Sequence, residues 1–220
     1  MTPKQTPTQR TPRTLTQLSN TWKLTALGYD LWRVRSLSLL TGRPFPLERE
    51  LALMLEWTVP IQDERWLDVG TSTGNYARAL SSRGAKVVGL DFSAPMLEVA
   101  RSKPSPGVTY RQDYLENLSL ESVEGALDGI AVGATLNEFY DTNSALERMA
   151  GLLKPQGRLF MMYLTRSESR WGRLLQTLLA AGGVRFPARV AVKHTLEQAG
   201  MHYARGERWG VVVLELYYKM

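Results

Sequence analysis

The 220 residues make one ordinary domain with a small elaboration, and 44% apolar against 22% charged residues provides for a sizeable core. Cysteine is absent and histidine occurs only as His194 and His202, which excludes a disulfide scaffold and argues against thiolate- or histidine-built zinc; no metal is expected. The net charge of +6 is compatible with nucleic acid, an anionic membrane, an acidic substrate or no partner at all, and no run reaches the length of a membrane-spanning helix.

Residues 1–20 are rich in Thr, Pro and Gln, carry three positive charges and no acid, and read as a disordered basic arm. Over 21–41, Trp22, Leu27, Leu31, Trp32, Val34, Leu37 and Leu40 recur at near-helical spacing; a second helix, LERELALMLEWTV, is ended by Pro60. Residues 21–62 are thus expected to form an N-terminal helical lid. From 63 onward strands and helices alternate. RWLDVG, KVVGLD, VTYRQD, part of GALDGIAVGATL, and RLFMMYL read as strands. NYARALSSRG, SAPMLEVARS and NSALERMAGLLKPQG read as the helices between them, the last closed by Pro and Gly. The alternation predicts a parallel sheet covered on both faces.

After the fifth strand, 167–192 reads as a cap insertion with a helix around SRWGRLLQTLLAAG. There Trp171, Leu174, Leu175, Leu178 and Leu179 recur at helical spacing, which predicts core packing ahead of a lipid pocket. HTLEQAGM reads as a further helix with Thr195 as N-cap. The last two β-rich segments are joined too closely to be parallel, so one sheet edge should carry an antiparallel, hairpin-like strand.

The sharpest feature is WLDVGTSTGNYA, where a strand ends in Asp68 and Gly70 and Gly74 precede a helix. Glycines there let the backbone turn tightly against a ligand, and the helix start offers unpaired N–H groups. The spacing departs from the dinucleotide G-x-G-x-x-G, and no G-K-[ST] follows for a phosphate loop. The second strand ends in Asp91, placed to accept ribose hydroxyls, and the third in Asp113, placed to accept from an adenine amine. Phe92, Met96 and Tyr114 could flank a purine.

With these residues the chain resembles the class I S-adenosylmethionine-dependent methyltransferases: LDVGTSTG, VVGLDFS, RQD and LKPQGRLFM match the family's motifs over about residues 60–220. The resemblance implies a Rossmann-like, doubly wound α/β sheet of seven strands, mostly parallel with an antiparallel last strand, over 63–220. It implies S-adenosyl-L-methionine as cofactor, with Asp68 and Gly70 at its methionine end, Asp91 on the ribose and Asp113 on the adenine. Thr71, Ser72 and Gly74 complete the loop. Ser72 stands where the family's commonest loop has its middle glycine, and a serine calls for an ordinary backbone angle. The YD-containing segment from Tyr29 resembles the entry helix of the ubiquinone and menaquinone C-methyltransferase group, which folds over the cofactor and shapes the acceptor pocket.

Tyr29, Glu138 and His194 are the candidates for residues near the acceptor; Glu138 could instead cap the next helix and His194 could be a surface residue. After the fourth strand the chain reads LNEFY, without the [ND]-P-P-[YF] turn that enzymes methylating base amines share. A small, aromatic or lipid-like acceptor and a cytoplasmic location are therefore expected, with nucleic acid disfavoured. An RNA methyltransferase using the basic arm and cap, and a non-catalytic partner subunit, are the alternatives. Residues 1–20 contribute +3 and residues 165–193 contribute +5, leaving −2 for the rest. The positive charge thus sits on the arm and the cap. The cap could rest on an anionic membrane or acidic partner, guide an anionic acceptor, or be a solvated face.

Overall fold

The computed structural model describes residues 44, 46–118 and 126–220. The 1–20 arm and most of the expected lid, Tyr29 included, lie outside the described residues.

Helix α1 (Leu47–Thr58) ends where Val59 takes a left-handed conformation, φ 43°, before Pro60. Its C-terminal turn holds no basic residue, and Arg158 serves instead, donating to the carbonyls of Thr58 (2.6 Å) and Val59 (3.1 Å) and pairing with Glu64. Five strands follow: β1 (Arg65–Val69), β2 (Lys86–Asp91), β3 (Val108–Gln112), β4 (Leu127–Val132) and β5 (Leu153–Leu164). Between them run α2 (Asn75–Ser81), α3 (Ala94–Arg101) and α4 (Thr142–Leu152). Then come α5 (Arg170–Ala181), α6 (Arg189–Gln198), β6 (Met201–Trp209) and β7 (Val212–Lys219).

The sheet order is β3-β2-β1-β4-β5-β7-β6, with β1 to β5 parallel and β7 antiparallel to both its neighbours. The seven-stranded, doubly wound sheet matches the expectation. The antiparallel strand, however, lies one place in from the edge, which β6 occupies. Side chains alternate between the faces. Trp66, Phe160, Met162, Leu214 and Leu216 pack with Met54 and Trp57 of α1 and Leu80 of α2. Leu67, Leu159, Met161, Tyr163 and Tyr217 pack with Leu146 and Met149 of α4 and Val192 and Leu196 of α6.

On the second face lies a buried polar cluster. The Glu215 carboxylate, fully buried, accepts from Tyr163 (2.9 Å), Tyr217 (3.1 Å) and Arg189 Nε (2.5 Å). Burial and the neighbouring carboxylate hold both phenols far above the usual tyrosine range, so they stay neutral donors.

Three local expectations are corrected. The LKPQG segment does not close α4. It belongs to β5, where Leu127 pairs with Leu153 but Gly129 with Arg158, so residues 154–157 loop out around Gln156 at φ 65°. Pro155 has no N–H for the ladder, which favours that bulge. Second, Thr195 is no N-cap. Helix α6 begins seven residues earlier, after Ala188, because Val192 and Leu196, four apart, form its buried stripe; the Thr195 hydroxyl turns inward to Asn143 (3.1 Å). Third, the cap helix is turned outward. Trp171, Leu174, Leu178 and Leu179 are exposed, the Leu175 side chain lies outside those described, and Gln176 is the buried residue among the described ones.

Gln176 anchors that helix. Its Oε1 accepts from Ser167 N (2.8 Å) and its Nε2 donates to Thr165 O (2.9 Å), just beyond β5. Asn137, in the turn after β4, completes the attachment, donating from Nδ2 to Leu164 O (2.7 Å) and Arg185 O (2.6 Å) and accepting from Leu164 N (2.8 Å). Among the described residues no helix is long and apolar enough to cross a membrane.

Candidate active site

At the C-terminal ends of the parallel strands a crevice is lined by Leu47, Asp68, Gly70, Thr71, Ser72, Asn75, Tyr76, Gly133, Ala134 and Thr135. Strand β1 delivers Asp68 to its floor. The carboxylate is almost wholly buried, and its Oδ2 accepts from the Thr71 hydroxyl (2.6 Å) and the Ala77 amide (3.0 Å) in the first turn of α2. Burial pushes this carboxyl up to about 7 against those two hydrogen bonds. An opposing cation would restore its charge.

The loop from Gly70 to Gly74 is wound tightly. Gly70 and Gly74 have φ of 66° and 81°, and a side chain at Gly70 would overlap Thr135, whose hydroxyl donates to Gly70 O (3.3 Å). The backbone can thus approach a ligand closely. Ser72 overturns its expected ordinary angle: its φ is 51°, so it carries the left-handed conformation where the resembling family has glycine. The fold holds it there through Asp91, whose Oδ2 accepts from Ser72 N (2.8 Å) while Oδ1 accepts from Ser93 N (2.8 Å). Burial also raises the Asp91 carboxyl above its ordinary value, against the amides of Ser93, Ser72 and Phe92.

The structure therefore brings Asp68, Gly70, Thr71 and Ser72 together in the crevice, with Gly74 as N-cap of α2 and Asp91 tied to the loop. Met96 is buried behind it, its Sδ 3.5 Å from the Ser72 hydroxyl. Phe92 and Tyr114 stack on each other, ring centres 5.7 Å apart and planes within 9°, which leaves no base-wide gap between them. Asp113 is engaged by Arg111 (2.7 Å) and the Tyr114 amide (2.9 Å) and does not line the crevice.

Of the acceptor-side candidates, Glu138 does not itself line the crevice; it is half-buried at the end of the 3₁₀ turn Ala134–Glu138, whose Ala134 and Thr135 do. It does not cap α4, because Asp141 does, accepting from Ser144 N (3.1 Å). His194 is exposed midway along α6 and does not line the crevice.

Sequence reasoning missed Leu47, Asn75, Tyr76, Gly133, Ala134 and Thr135 as lining residues. Thr135 stands two residues past Gly133 at the end of β4, a strand-end position that merited inspection. Tyr76 carried no such signal: its hydroxyl donates to the buried Glu50 of α1, a tertiary contact between residues 26 apart.

A family profile described as a methyltransferase domain matches residues 67–161. The chain is 37% identical over 102 residues to a demethylmenaquinone methyltransferase of Thermus thermophilus, covering 45% of this chain and 46% of that one. It is 30% identical over 161 residues to a ubiquinone biosynthesis O-methyltransferase of Paracidovorax citrulli, covering 70% of this chain and 65% of that one. Residues 67–161 thus match a methyltransferase domain, and the fold around them is similar to that of solved S-adenosylmethionine-dependent methyltransferases. The chain spans about half to two thirds of the length of these relatives. Among solved structures the magnesium protoporphyrin IX methyltransferase of Synechocystis PCC 6803, with bound SAH, superposes at a TM-score of 0.64 with 16% identity, over 78% of this chain and 83% of that one. The cofactor of the class I methyltransferases is S-adenosylmethionine. The residues fit it: a glycine loop that a side chain would fill, a buried carboxylate poised to gain charge beside a cation, and a second carboxylate at the next strand end.

Proposed function

We propose that the protein transfers the methyl group of S-adenosylmethionine to a small, aromatic or lipid-like acceptor of the quinone type. The observation that carries this reading is the linkage of Asp91 to the glycine loop through Ser72 N, which joins two carboxylates at neighbouring strand ends into one cradle. When bound, the cofactor supplies a sulfonium-activated methyl carbon open to in-line displacement. The chain's residues bind, align and handle the proton. Asp68 faces the ammonium of the methionine end. Asp91 takes the ribose hydroxyls on the lone pairs left after its two amide bonds. Tyr76, fixed by Glu50, and Thr135, fixed on Gly70, wall the crevice, exclude water and keep the acceptor in line. Glu138 accepts the proton of an acceptor hydroxyl.

Two points favour a quinone-type acceptor. The relatives named above act in ubiquinone and menaquinone methylation by name. In the turn after β4 the buried Asn137 amide is turned to three backbone groups, its oxygen accepting from Leu164 N, so it is not presented as an acceptor for a base amine.

Calorimetric titration with S-adenosylmethionine and S-adenosylhomocysteine, followed by incubation of the labelled cofactor with catechol and hydroxyquinone acceptors, tests the reading. Asp91→Ala should abolish binding. Glu138→Gln should bind normally and lose about a hundredfold in turnover. No binding of either ligand, with Asp91→Ala indistinguishable from the unmutated chain, would sink the cofactor assignment. Binding without transfer to any acceptor would point to a non-catalytic subunit.

A further inference from the structure

The cap helix is built the wrong way round for a core element. Trp171, Leu174 and Leu178 sit at i, i+3 and i+7, one stripe of the helix, and are 82%, 54% and 67% exposed, with Leu179 beside them. The side turned inward is held by the polar Gln176, bonded on both its amide atoms to the backbone beyond β5. A helix docked by a glutamine and presenting tryptophan and leucine to water has its apolar stripe aimed outward by design of the attachment.

The charges around that stripe are of one sign. Arg166, Arg170, Arg173 and Arg185 are all exposed, and among the described residues none is paired with a carboxylate. Glu168 is the lone acid between 165 and 193, and it is taken by Arg208 (2.5 Å). Arg189, the remaining arginine of the segment, is turned inward to Glu215. An apolar stripe with tryptophan at its edge and arginines around it matches an interfacial helix, whose apolar face enters the boundary between headgroups and acyl chains. A protein partner would need a matching apolar groove and an acidic rim; an anionic bilayer offers both everywhere.

We infer that α5 seats the protein on an anionic lipid bilayer, Trp171, Leu174 and Leu178 entering the interface and Arg166, Arg170 and Arg173 meeting lipid phosphates. The chain on both sides of the helix is fastened, at Leu164 and Arg185, through Asn137 to the turn that bears Thr135, which links the docked face to the crevice. Resting on the methyl-transfer reading, this puts the crevice where an apolar acceptor resides.

The full chain, sedimented with vesicles of phosphatidylcholine alone or mixed with phosphatidylglycerol, should bind the mixed vesicles and not the neutral ones. Trp171→Ser with Leu178→Ser should abolish binding. Arg170→Gln and Arg173→Gln should each weaken it about fivefold, an effect that added salt erases. Cofactor titration of each variant should match the unmutated chain, so failure of docking and failure of the methyltransferase reading are told apart. Equal binding to both vesicle types, or unchanged binding by the Trp171→Ser, Leu178→Ser variant, overturns the inference. So does self-association that the same variant abolishes, since the stripe would then face a second copy.

Discussion

Ser72 shows how one residue can be held against its own preference. A side chain in the left-handed region costs roughly 1–2 kcal/mol, and the Asp91 carboxylate accepting from its amide is what keeps it there. Ser72→Gly removes that cost but gives the unfolded chain about 0.5–1 kcal/mol of extra entropy. A net stabilisation of up to about 1 kcal/mol is expected in denaturant titration, with cofactor affinity preserved. Gly70→Ala should act oppositely, costing about 2 kcal/mol or more, because its methyl group overlaps Thr135. The motif spacing made all these positions legible in the sequence. It could not give the angle at Ser72, because that is imposed by Asp91, a residue brought in by the neighbouring strand.

Asp68 adds a pH signature at the same scale. Its folded carboxyl is raised from 3.8 to about 7, so without ligand its contribution to stability is full below the unfolded value and is lost as pH rises through about 7. A cation facing the carboxylate reverses the preference. The gain in melting temperature on adding S-adenosylmethionine should therefore grow between about pH 6 and about pH 8, and binding near neutrality should release a proton. Calorimetry in buffers of different ionisation enthalpy measures that release. Asp68→Asn should abolish it.

Elements were read well where local pattern and packing agree, as in β2, whose KVVGLD run is the strand residue for residue. They were misread where a tertiary contact decides. Helix α6 took seven more residues than its capping-box pattern implied because Val192 and Leu196 bury against the sheet. Leu174, Leu178 and Leu179 of α5 looked like core because spacing reports that a face is apolar, not which way it points; Gln176 settles that through distant backbone partners. Asn137→Ala should test the attachment. It removes three hydrogen bonds and strands the Leu164 amide, at a cost of about 2–3 kcal/mol, and limited proteolysis should then cut first within residues 165–188. Arg158→Met should cost a similar amount, since the Thr58 carbonyl and the Glu64 carboxylate both lose a partly buried partner.

At the scale of the molecule, charge and fold divide the labour. The slightly acidic remainder holds the sheet and the crevice, and the +5 of residues 165–193 is gathered on one attached segment. The strand sequence revealed the sheet but not its order, because β-rich ends announce an antiparallel pair without saying which member stands outside. That order has a temporal meaning. β7 is the last strand in chain order, yet it fills the slot between β5 and β6 and carries Glu215, to which Tyr163 and Arg189 are bonded. As the chain emerges during synthesis, β5 has no antiparallel neighbour and β6 nothing to pair with until residues 212–219 appear. The earlier strands must wait with an open edge, a state prone to mispairing. Released chains truncated after Gly210 should accordingly stay sensitive to protease, and chains that include residues 212–219 should acquire resistance across the sheet together, not strand by strand.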